Sequence, residues 1–161
     1  MKVHALASAL TILLSPAAAA DEAQIIDLVA ADALKETRLS MDLAPLKSAA
    51  DVYHYHQSMP ENLSPLSALS KQEQTRFIQS LRFNERGLTQ FDYRILTQLD
   101  AEQVYRILAL FGLQSGTSLI KDDEARNTDA VKKIRGFLPG YYCEDRGTCR
   151  EDDSRACTEN C

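Results

Sequence analysis

Gly87-Leu88-Thr89-Gln90-Phe91-Asp92-Tyr93-Arg94-Ile95-Leu96 can be read two ways. Leu88, Phe91 and Ile95 fall at helical spacing, whereas Phe91, Tyr93 and Ile95 alternate as a half-buried strand would. The fold class turns on this decade, because the signals on both sides of it are helical.

Upstream, Ser70-Lys-Gln-Glu73 is a capping box. The Ser70 hydroxyl and the Glu73 carboxylate can each satisfy an orphan N–H at a helix start. Phe77, Ile78 and Leu81 then form one stripe, and Gly87 suits a left-handed stop. Downstream, Asp100-Ala-Glu-Gln103 repeats the capping logic. Val104, Ile107, Leu108 and Phe111 form that helix's core face, with Gly112 placed to end it.

Farther out, residues 21–40 carry Ile25, Leu28, Val29, Asp32 and Ala33 at three/four spacing, with Ile26 and Leu34 widening the apolar face. Pro45 punctuates. Leu46 to Met59 predicts a second helix burying Leu46, Ala49, Ala50, Val52 and Tyr53, and Pro60 to Leu69 reads as loop. Gln114 to Lys121 is loop-like. Asp122 to Ile134 predicts a last helix with acids at its start and bases at its end, as the macrodipole favours. The expectation is therefore all-α: a small bundle of four to five helices with a mostly irregular, disulfide-braced C-terminal tail.

The chain has 161 residues, 45% hydrophobic and 25% charged, which suits one globular domain. Gly 6 and Pro 5 are too few for a turn-dense β-sandwich. A formal net charge of −5 disfavours nucleic-acid binding, which needs clustered bases.

Residues 1–20 have the order of a secretory signal peptide. Lys2 is followed by an apolar run from Ala5 to Leu14, then Pro16, then Ala18-Ala19-Ala20 before Asp21. The apolar run is shorter than the ~20 residues of a membrane span. The expected organisation is a cleaved signal (1–20), a helical domain (21–140) and a cysteine tail (141–161) packed on it. The product would be periplasmic or secreted, with no stable membrane insertion.

Cys143, Cys149, Cys157 and Cys161 are an even set in an exported chain and are read as two disulfides. Three connectivities are possible, and two local loops, Cys143–Cys149 and Cys157–Cys161, are favoured because Arg150–Arg155 separates the pairs. There is no C-x2-C knuckle or thioredoxin-like C-x-x-C, and neither metal nor cofactor is expected.

His54 and His56 lie in Asp51-Val-Tyr-His-Tyr-His56. On a helix the two rings diverge by about 200°, whereas Asp51 and His54 share a face and could form an acid–base pair. No nucleophile elbow, phosphate loop or calcium loop is present. Phe137-Leu138-Pro-Gly-Tyr141-Tyr142 is read either as an anchor for the tail or as a partner-facing surface. The leading functional expectation is a non-catalytic protein-binding module of the immunity, inhibitor or envelope-accessory kind. A secreted effector or toxin, and a hydrolase using Asp51 and His54, are the alternatives.

Overall fold

The computed structural model describes residues 16–122 and 136–161, and side chains from residue 27 onward. Asp122 follows α5 in extended conformation, and the rest of the predicted helix over Asp122–Ile134 and most of the predicted signal segment lie outside the described residues. Five α-helices and a four-stranded antiparallel sheet are present among those described, so the fold is mixed α/β and the all-α expectation is corrected. The helices are α1 (Pro16–Asp42), α2 (Ala49–Ser58), α3 (Lys71–Ser80), α4 (Ala101–Ala109) and α5 (Thr117–Lys121). The strands are β1 (Arg82–Asn84), β2 (Gly87–Asp92), β3 (Phe137–Asp145) and β4 (Thr148–Thr158), in the order β1-β2-β4-β3.

The ambiguous decade resolves into strand β2 followed by a 3-10 turn at Arg94–Leu96. It carries no clean alternation because five consecutive residues, Gly87–Phe91, are buried. The polar ones among them are satisfied by side-chain hydrogen bonds, one near in sequence and one distant. The Thr89 hydroxyl donates to the Arg82 carbonyl at 3.0 Å, and the Gln90 Oε1 accepts from the Cys143 N–H at 3.1 Å. A buried strand with bonded polar side chains shows neither of the two simple periodicities.

Local signals were more reliable. Both capping boxes form, Ser70 with Glu73 at α3 and Asp100 with Gln103 at α4. Val104, Ile107, Leu108 and Phe111 are buried as their spacing predicts. Gly112 ends the helix at φ +71°, and a Cβ there would lie 2.2 Å from the Ser40 carbonyl oxygen. Both the backbone conformation and the close approach of α1 therefore require glycine. The second helix is shorter than predicted because Ser48 caps it. Leu46 and Val52 are buried there, but Ala49, Ala50 and Tyr53 are exposed. Residues 60–69 contain two 3-10 turns, and 114–121 are a 3-10 turn leading into α5, not plain loop.

The core runs through a chain of edge-on rings. Phe77 of α3 lies 6.3 Å from Phe91 and 6.2 Å from Phe111, and Phe91 lies 5.2 Å from Phe137 of β3. Leu96, Ile107, Leu113 and Leu119 fill in around these rings with almost no exposure.

The tail is a β-hairpin, not irregular chain. β4 lies between β2 and β3, pairing Gln90 with Cys157 on one side and Leu138 with Cys157 on the other. Pro139, which has no N–H to give, sits in β3 at the sheet edge, where that donor is not needed. Residues 152–155 of β4 bulge opposite Gly140 alone, since the register jumps from Pro139–Ala156 to Tyr141–Glu151. The bulge is held from both sides. The Ser154 N–H and hydroxyl donate to the Asp152 Oδ1 at 2.9 and 2.7 Å, and the Tyr93 hydroxyl donates to the Asp153 carbonyl at 3.1 Å.

Candidate functional site

Two disulfides, Cys143–Cys161 and Cys149–Cys157, pin the hairpin, so the expected local pairs Cys143–Cys149 and Cys157–Cys161 are corrected. Cys143 and Cys149 are indeed cross-strand partners. The bulge, however, bends β4 back on itself and brings the Cα of Cys157 within 6.0 Å of that of Cys149. Eight residues of straight strand would hold those atoms roughly 26 Å apart. The chain then turns at Thr158–Cys161, and the Cys161 carbonyl accepts from the Gly147 N–H at 2.8 Å. That contact places Cys161 under the hairpin tip beside Cys143. The sulfurs of Cys143, Cys157 and Cys161 lie within 4.8 Å of one another, so the two bridges are stacked, and all four thiols are consumed.

Of the residues predicted to face a partner, Phe137 is buried. Its ring packs on Phe91 and into space left by Gly116, where a Cβ would come within 2.1 Å of the ring. Phe137 therefore anchors the hairpin to the body. Leu138, Tyr141 and Tyr142 are half-buried. The Arg155 guanidinium stands 5.9 Å from the centre of the Tyr142 ring, in range for a cation–π contact. Its Nε also lies 3.6 Å from the Asp152 carboxylate. Hydrogen bonds from Ser154 hold the Asp152 carboxyl below the usual aspartate range, with smaller help from the Arg155 charge.

Beside the hairpin, a cleft of about 410 Å³ opens against α1. Leu34, Leu138 and the Cys149–Cys157 bridge give it an apolar wall, and Arg38 and Glu159 add an ion pair at 3.5 Å. Such a lining suits an apolar side chain with a polar neighbour. It contains neither histidine. Leu34, Arg38, Arg155 and Glu159 were missed as site residues, and no local signal marks them, because Leu34, Arg38 and Glu159 meet only where α1 approaches the hairpin and Arg155 reaches Tyr142 only across it.

His54 and His56 are both exposed on α2. The Asp51 carboxylate is engaged at the helix start, its Oδ2 accepting from the Ser48 hydroxyl at 2.9 Å and the Lys47 N–H at 3.0 Å. These bonds, led by that from Ser48, lower its pKa, while the His54 charge is the smallest contributor. The geometry therefore gives Asp51 a capping role.

No family model, curated protein or solved structure matches the chain. The two disulfides point to an oxidising, extracellular or periplasmic environment. No described helix is long and apolar enough to cross a membrane.

Proposed function

We propose that this chain is an exported, non-catalytic protein-binding module of the immunity, inhibitor or envelope-accessory kind, and that the β3–β4 hairpin meets its partner. Export would follow cleavage of residues 1–20 before Asp21, which leaves α1 to begin in the mature chain at that acidic residue.

One observation carries the reading. Leu138, Tyr141 and the Tyr142–Arg155 stack stand half-exposed on a strand edge fixed by two disulfides, next to an apolar cleft. Tyrosine and arginine are over-represented among residues that dominate binding energy. A surface already rigid when free loses less conformational entropy on association. An extended partner segment could also add to the open edge of β3.

The test starts from a partner captured from the native exported fraction, with affinities then compared by calorimetry. Tyr141→Ala with Tyr142→Ala should weaken binding by more than about 1 kcal/mol at unchanged melting temperature. His54→Ala with His56→Ala should leave both affinity and biological activity intact. Activity abolished by the histidine changes in a normally folded protein would overturn the binding reading in favour of hydrolysis at Asp51 and His54.

A further inference from the structure

α1 buries the side opposite to the one its apolar spacing suggests at Leu28 and Val29. Thr37, Met41 and, just past its end, Ala44 face the core. At 100° per residue, Leu28, Asp32, Lys35 and Leu39 fall on the far side within an arc of roughly 60°, and all four are exposed. The exposure of the leucines is large, 71% for Leu28 and 56% for Leu39, and Val29 and Leu43 flank them at 64% and 74%. A shallow groove of about 470 Å³ runs along this face beside Leu28, Asp32 and Lys35.

The four seam positions are separated by four, three and four residues, the spacing of a helix–helix seam. That spacing reads the same in both directions, and the residue types complement one another when it is reversed. When two copies of α1 are laid antiparallel about a two-fold axis between Ala33 and Leu34, residue i meets residue 67 − i. Leu28 then meets Leu39, and Asp32 meets Lys35, in both halves of the pair. A parallel pair in register sets Asp32 against Asp32 and Lys35 against Lys35. Sliding the antiparallel pair by one seam step sets leucine against a charge. One arrangement satisfies all four positions.

The geometry points to a second copy of this chain as the occupant of the face, in a two-fold, antiparallel α1–α1 pair. Such a contact is isologous, the same patch serving both copies. With α1 ending at Asp42, the two helices overlap over residues 25–42, about 27 Å of helix. One helix pair of that length makes a small interface, near the roughly 1,000 Å² at which specific association begins. The dimer is therefore reversible and concentration-dependent. This pairing is independent of the hairpin reading, and neither stands on the other.

Sedimentation velocity of the purified mature chain, from low to high micromolar concentration, tests it. The expected result is a concentration-dependent monomer–dimer equilibrium. Lys35→Asp places acid against acid twice and should raise the dimer dissociation constant at least about tenfold. The double change Asp32→Lys with Lys35→Asp puts lysine opposite aspartate again and should restore it. Leu28→Ala with Leu39→Ala should also dissociate the dimer. All these positions are exposed, so the melting curves of the monomeric variants should match that of the parent at low concentration. A chain that stays monomeric throughout overturns the proposal, as does a dimer indifferent to Lys35→Asp or a swap that fails to rescue.

Discussion

Between Val104 and Leu113 six large apolar side chains are buried, whereas from Tyr141 to Arg155 no residue is buried. The first region is held by removing apolar surface from water and by packing rings on one another. The second has little to remove, and holds its shape chiefly by ladder hydrogen bonds and two covalent bridges. The difference lies in where a perturbation goes. A cavity in the body is shared by every element around it, while a broken bridge releases only the segment it closes. Phe137 joins the two regions, since it belongs to a hairpin strand and its ring is in the body's core.

Phe137→Ala should therefore have the largest effect, about 3–5 kcal/mol as a buried ring truncation, read from the denaturant midpoint. It should loosen both regions together. If the hairpin alone loosened while the body kept its stability, Phe137 would not be the joint. Cys143→Ser with Cys161→Ser should come next, at about 3 kcal/mol for a loop of this size. Hydrogen exchange should then speed up most over residues 141–151 and least over α4. Equal acceleration in both would break the division drawn here.

The smallest effect concerns acid. The Glu73 Oε2 accepts from the Ser70 hydroxyl at 2.6 Å and the Ser70 N–H at 3.0 Å, and its other oxygen accepts from the Gln98 amide. The bond from the Ser70 hydroxyl comes first in lowering its pKa below the usual glutamate value, followed by that from Gln98 and then that from the Ser70 N–H. Asp152, bonded by Ser154, is the hairpin's counterpart. A folded pKa below the unfolded one means the contribution is present above the unfolded value and lost as pH falls through the folded one. Melting temperature should thus decline on acidification through roughly pH 4–5 and below. Glu73→Gln should flatten that decline slightly, because the carboxylate is exposed and well solvated. Identical pH profiles for the variant and its parent would remove Glu73 from the account.

The same contrast explains what could be read in advance. The starts of α3 and α4 were legible at Ser70 and Asp100 because a capping box is complete within four residues. The face of α4 was legible because its buried residues repeat every three or four positions. β2 was not, because it is buried between the short β1 and the distant β4, and nothing near Gln90 announces Cys157. Leu28 and Val29 were misplaced because apolar spacing marks a face without saying which neighbour covers it. The disulfide pairing failed for a geometric reason. Residues 152–155, part of the charged stretch read as a spacer, are the bulge that folds β4 back, joining Cys149 to Cys157 and leaving Cys143 to pair with Cys161. Of the candidate site, the tyrosines were visible as a cluster, while Arg155, Arg38 and Glu159 reach it only through tertiary packing.

The insertion of β4 between β2 and β3 also sets a timetable. α3, the β1–β2 hairpin and α4 can each form from near neighbours, within microseconds for such local units. The middle of the sheet joins Gln90 to Cys157, and closing so long a stretch of chain is slow. Until it closes, β2 keeps one side of its backbone ladder open, and an open strand edge is what another unfolded chain pairs with. The vulnerability of this protein while it folds is governed by how quickly a distant hairpin docks, not by how strongly it is finally held.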